Sequence, residues 1–235
     1  MSHARAARAR AARVGLAAAV VGATMALGAC GGSAQANANG CTPPPQTPTA
    51  AKSFASAPPP SDAQHTTWTA TLQTNCGKIT VQLYGDKAPQ TVSSFLHLAR
   101  ADYWKDSPCH RLTTEGIYVL QCGDPTGTGT GTPGYGFGIE NAPADGDYPP
   151  GTLAMARSMD PNSNGGQFFI VYRDTKLPTA GGGYSIFGKV TGGMDIVRTI
   201  AKAGVAKDAP RPGDGAPAQP ISILSVSVQQ AQQKG

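Results

Sequence analysis

The chain has 235 residues with a formal charge of +5, 40% hydrophobic and 14% charged residues, 30 glycines and 20 prolines. Four of its positive charges are Arg5, Arg8, Arg10 and Arg13, with no acid among residues 1–29, so the chain from residue 30 onward carries only about +1. The high net charge is therefore no mark of a basic binding face, and nucleic acid is not an expected partner.

Residues 14–29 are apolar and small and end in Leu27-Gly28-Ala29-Cys30. A basic start, a short apolar run and small residues before a cut predict a secretory signal over 1–29, too short to span a bilayer comfortably. The ending resembles a bacterial lipobox. That resemblance implies cleavage before Cys30, its lipidation, and a lipid-anchored place at the cell membrane on the extracytoplasmic side. Residues 30–65 are mostly Ala, Gly, Asn, Ser, Thr and Pro, with two triple-proline runs and Phe54 as the one large apolar residue. Such a stretch buries too little to offset its ordering entropy, so a disordered tether reaching roughly 30–35 Å is expected there. Residues 66–230 suit one domain around one core.

In chain order, Thr66–Thr74 alternates and turns through residues 75–78 into Ile79, Val81 and Leu83, which predicts a hairpin. Pro89 opens a helix whose Val92, Phe95, Leu96, Leu98 and Ala99 form one apolar face. Cys109–Thr113 and Ile117–Cys122 read as short strands. Residues 124–151 shift to Gly, Thr, Pro and Asp, a long surface loop. Strands resume at Thr152–Ala156, Gln167–Tyr172 and Tyr184–Val190, a second helix carries Met194, Ile196, Val197 and Ile200, and Ile221–Val228 is the last strand. Eight strands and two helices predict a mainly β barrel or sandwich.

Four cysteines besides Cys30 allow three pairings in an oxidising compartment. Cys109 and Cys122 flank one predicted hairpin and are the expected bridge; no zinc or redox spacing occurs.

Two stretches point to a function. Cys109-His110-Arg111-Leu112 runs on to Leu120-Gln121-Cys122-Gly123-Asp124, and Asn164-Gly165-Gly166-Gln167-Phe168-Phe169-Ile170 follows. With Lys87-Ala88-Pro89, Gly151–Ala156 and Ile186-Phe187-Gly188-Lys189-Val190 in the same order, residues 66–228 resemble the cyclophilin family of peptidyl-prolyl isomerases. The resemblance implies an eight-stranded antiparallel barrel capped by two helices, and an isomerase of X–Pro bonds with no cofactor and no metal. It implies Arg111, Gln121 and Phe169 as catalytic residues, with Tyr118, Val119, Leu177 and Tyr184 around a proline pocket. Met155, Ala156 and Arg157 fall on the strand that pairs with substrate backbone, and Gln167 falls at the rim. The physics agrees with an arginine: its planar fork suits an amide nitrogen that regains a lone pair when the bond twists.

The departures are informative. Lys176 stands where the family often has a tryptophan that contacts cyclosporin, Tyr184 replaces a common histidine, and Arg157 an asparagine. Weak cyclosporin binding is expected. The Gly127–Gly131 run lacks the Lys-Ser/Thr of a phosphate loop, and Asp145-Gly146-Asp147 lacks the calcium-loop pattern. Strand alternation turns His110 away from Arg111. The expected function is therefore isomerisation of exported proline-containing polypeptides by a monomer. The alternative is a proline-peptide-binding or chaperone module at the cell surface with incidental catalysis.

Overall fold

The computed structural model describes residues 36–63 and 66–231. The signal and the lipidated Cys30 expected from the sequence lie outside them. In chain order the elements are β1 (Thr67–Thr74), β2 (Gly77–Tyr84), α1 (Pro89–Arg100), β3 (Ser107–Pro108), β4 (Arg111–Thr113), β5 (Val119–Cys122) and β6 (Asp147–Tyr148). They continue with β7 (Thr152–Met155), β8 (Phe168–Val171), β9 (Thr175–Lys176), β10 (Ile186–Gly192), α2 (Met194–Ala203), β11 (Asp214–Gly215) and β12 (Ser222–Gln230).

Ten strands form one antiparallel sheet in the order β11-β4-β5-β8-β7-β10-β2-β1-β12-β3, and β6 pairs with β9. The eight strands expected from alternation are the inner eight of this curled sheet. The four additions are two residues each, too short to carry a periodicity. Cross-strand rows show how the sheet divides its faces. Leu112, Leu120, Ile170 and Leu153 stand opposite one another on neighbouring strands and are buried together in the interior. The next residue along each strand points to the other face.

Helix α1 closes over the interior. Pro89 supplies a preset φ at its first turn, and Phe95 meets Trp104, Phe168 and Phe187 at ring separations of 4.6, 5.9 and 5.7 Å. No local side chain caps the helix. Glu140 does so from the long loop, accepting from Gln90 N–H at 3.0 Å and Thr91 N–H at 2.8 Å. A carboxylate on those unpaired donors suits the positive end of the helix.

Residues 36–63 correct the expected tether. Cys41 is buried and bridged to Cys76, and a second disulfide joins Cys109 to Cys122. The segment then crosses the domain as a strap. Phe54 places its ring 4.6 Å from that of His97 and donates its N–H to Pro133 O at 2.8 Å. Gln90 Nε2 donates to Pro58 O at 2.8 Å and Ser93 Oγ to Pro59 O at 2.6 Å. Local hydrophobicity misjudged this stretch because a covalent link and the domain's own donors offset its ordering entropy.

Candidate active site

A single cross-strand row builds the site. Arg111 on β4 pairs with Gln121 on β5, Gln121 with Phe169 on β8, Phe169 with Ala154 on β7, and Ala154 with Ile186 on β10. Directly opposed residues share a face, so a cation, an amide and an aromatic ring are aligned by register alone. Two residues along, Val119 opposes Val171 on the same face.

The apolar half of this face is a packed cluster. Val119, Phe169, Val171, Ala154, Tyr148 and Leu177 pack together, with Ala156, Tyr184, Ile117 and Ile186 against them, separate from the interior core. The Phe169 and Tyr184 rings meet edge to face at 5.7 Å. Tyr148 holds Tyr184 in place twice: its hydroxyl donates to Tyr184 O at 3.0 Å and accepts from Tyr184 N–H at 2.9 Å. Burial raises the Tyr148 pKa, so it stays a neutral donor and acceptor.

The polar half is a chain of hydrogen bonds. Arg111 Nε donates to Asp214 Oδ1 at 2.7 Å and Nη2 to Asp214 Oδ2 at 2.9 Å, a two-pronged pair. Its Nη1 donates to Gln121 Oε1 at 3.2 Å, Gln121 Nε2 donates to Gln167 Oε1 at 2.9 Å, and Gln167 Nε2 donates to Gly129 O and Gly131 O at 3.0 and 3.1 Å. Because each amide spends its N–H on the next acceptor, the chain fixes the orientation of both glutamines. The hydrogen bond to Asp214 raises the Arg111 pKa, and Arg111 lowers that of Asp214. The arginine therefore stays charged, with Nη1 facing the cleft beside Gln121.

The loop that receives Gln167 is itself fixed. Asp124 accepts from Thr126 N–H at 2.8 Å, Gly129 N–H at 2.7 Å and Gly131 N–H at 3.0 Å. Burial would raise its pKa, but these hydrogen bonds outweigh it and the pKa is lowered. Gly123 just before it has φ of 97°, and a Cβ there would stand 2.3 Å from Gly166 O. The loop borders a cavity of about 370 Å³ shared by Gln121, Thr130, Ala156, Arg157, Ser163 and Gly165.

The expected site residues divide as follows. Arg111, Gln121, Phe169, Val119, Ala156, Gln167, Leu177 and Tyr184 come together here. Arg157 joins them from the edge, its Cζ 5.0 Å from the Tyr184 ring centroid. Two do not. Met155 opposes Phe168 and is buried in the interior core, because alternation puts it on the face opposite Ala154. Tyr118 turns outward, with its ring 6.0 Å from that of Tyr172 and under the Arg173 guanidinium at 4.4 Å; Ile117 packs on the apolar cluster instead. Lys176 reaches Asp147 at 3.1 Å and is largely exposed. Sequence reasoning missed Asp214 and Tyr148, which belong to two-residue strands in Gly- and Pro-rich loops and carry no pattern.

Comparison with known proteins bears on the same residues. The family described as "Cyclophilin type peptidyl-prolyl cis-trans isomerase/CLD" matches residues 69–228. "Probable peptidyl-prolyl cis-trans isomerase B" of Mycobacterium tuberculosis is 42% identical over 168 residues, covering 66% of this chain and 52% of that protein. Its namesake from Mycobacterium leprae is 38% identical over 173 residues, covering 68% and 56%. The chain thus spans about half the length of these curated relatives. A cyclophilin-type isomerase from Cryptosporidium parvum has a TM-score of 0.58 at 31% identity, covering 71% of this chain and 99% of that one. The same protein crystallised in the presence of the dipeptide Ala-Pro gives 0.57 at 32%, covering 68% and 98%.

Proposed function

The chain belongs to the cyclophilin-type peptidyl-prolyl cis-trans isomerases, and on that premise we propose that it accelerates rotation about X–Pro bonds in exported, partly folded proteins. The observation that carries this reading is the Arg111–Gln121–Phe169 row, which sets a charged donor beside an apolar cluster.

Uncatalysed rotation faces about 18–20 kcal/mol because the C–N bond is partly double, and takes roughly 10–100 s at 25 °C. The reaction makes and breaks no covalent bond, so the task is to stabilise the twisted amide more than either planar form. The apolar cluster of Phe169, Val119 and Leu177 supplies the surface that takes the proline ring, which fixes one side of the bond. Gln121 holds the neighbouring backbone, since an amide both donates and accepts. Arg111 donates to the proline nitrogen as conjugation is lost and a lone pair returns. Its charge is held in place by Asp214 before substrate arrives, so little reorganisation is needed at the transition state.

Two disulfides suit an oxidising compartment, which supports the exported setting together with the signal and lipobox pattern at the N-terminus. A monomer tethered to the membrane through Cys30 is part of the same proposal. Weak cyclosporin binding is another part, supported by Lys176 being drawn to Asp147. The alternative, a binding module that grips proline segments without turning them, makes no use of a guanidinium fixed from two sides.

The first test is Arg111→Lys in an isomerisation assay on proline peptides. Lysine keeps the charge but loses the fork to Asp214 and Gln121, so kcat/KM is expected to fall about 10- to 100-fold. A rate equal to the parent chain would overturn the role given to Arg111.

A further inference from the structure

The guanidinium groups of Arg111 and Arg157, at the edges of the apolar cluster, are treated differently. Arg111 is paired with the carboxylate of Asp214. Arg157 has no carboxylate within ion-pair reach among the described residues. Its Nε donates to Gly183 O at 2.7 Å, Nη1 to Ser158 O at 2.9 Å and Nη2 to Gly181 O at 3.1 Å, while its guanidinium lies over the Tyr184 ring. Neutral carbonyls and a ring face pin the group and leave its charge uncancelled. It covers Tyr184 at the edge of the apolar cluster and lines the cavity that Gln121 and Thr130 share.

Its main chain is open as well. The N–H groups of Met155 and Ala156 are used by Ser185 O and Gln167 O. One residue on, neither the N–H nor the C=O of Arg157 has a partner among the described residues. An extended peptide can therefore pair there, where its side chain would lie opposite that of Arg157, roughly 4.5–5.5 Å between Cβ atoms. Proline lacks an N–H, so the paired residue is a neighbour of the proline and not the proline itself.

We propose that Arg157 is a specificity-determining residue that favours proline segments carrying aspartate or glutamate beside the proline, and disfavours lysine or arginine there. The proposal rests on the isomerase reading above and adds the substrate class to it. Arg157 is only half-buried, so water screens the pair: the expected preference is about three- to fivefold, carried mainly by KM, and it shrinks with added salt.

The test uses the full chain and short proline peptides with alanine, glutamate or lysine at each of the two positions before the proline and the one after it. The proposal expects glutamate to exceed lysine in kcat/KM at one of these positions. It expects that ratio to fall to about one in Arg157→Gln, to survive largely in Arg157→Lys, and to invert in Arg157→Glu. Inversion cannot come from partial unfolding, so it separates the charge from a merely structural role. A ratio near one in the parent chain, or one unchanged by Arg157→Gln and Arg157→Glu, would overturn the proposal while the alanine peptides still turn over. No acceleration of any peptide by the parent chain would overturn the isomerase reading, and this proposal with it.

Discussion

Asp214 decides which edge of Arg111 a substrate meets. By occupying Nε and Nη2 it leaves Nη1 toward Gln121 and the cleft. The carboxylate also offsets part of the positive charge, which works against catalysis. Positioning is the larger effect here, because the Arg111 side chain is 38% exposed and water already screens the pair. Asp214→Ala is therefore expected to lower kcat about tenfold with little change in KM, and Asp214→Asn, which keeps one acceptor, less. A faster alanine variant in steady-state assays would show that charge cancellation dominates. At this scale the sequence was informative where short motifs hold residues close in the chain. Arg111, Gln121 and Gln167-Phe168-Phe169 were readable for that reason. Asp214 lies 103 residues from its partner in a stretch without periodicity, so nothing local announces it. Met155 was misplaced because matching a strand does not say which of its faces looks into the cleft.

Among the elements, long strands were readable because half-buried strands must alternate, and α1 because its apolar spacing and Pro89 agree. The strap over 36–63 was not, since its order comes from contacts distant in sequence. Those contacts matter for the site. Phe54 bonds Pro133, next to the Gly- and Thr-rich loop whose carbonyls receive Gln167. The Cys41–Cys76 bridge closes a loop with a sequence separation of 35, for which chain-entropy arguments give about 2–4 kcal/mol. Replacing both cysteines by serine is expected to lower Tm by several degrees and to speed hydrogen exchange in residues 124–134. Unchanged exchange there, alongside a lower Tm, would mean that the strap stabilises the fold without steadying the cleft.

At the scale of the molecule, three groups among the described residues set the response to acid. Burial lowers the pKa of His110, Arg111 lowers that of Asp214, and hydrogen bonds outweigh burial to lower that of Asp124. Each binds protons less readily folded than unfolded, so each favours the folded state more as pH rises. The His110 contribution is fully present above roughly 6.5 and is lost as pH falls through its lower folded value. The carboxylates contribute fully above roughly 4 and lose that contribution below it. Thermal melting between pH 7.5 and 3 is expected to show Tm falling in two stages, and His110→Gln is expected to remove the first. A Tm that rises on acidification would contradict these assignments. The overall fold was the most accessible feature from sequence, because alternation, helix period and turn residues all agree on one mainly β domain.

Whether the site turns proline bonds or only holds them is settled most directly by exchange spectroscopy on an alanyl-proline peptide mixed with the parent chain or Arg111→Ala. Binding through the apolar cluster and Gln121 is expected to survive with a few-fold loss, while cis–trans exchange of the bound peptide slows about 100- to 1,000-fold. Exchange as fast in Arg111→Ala as in the parent chain, at equal occupancy, would contradict the account.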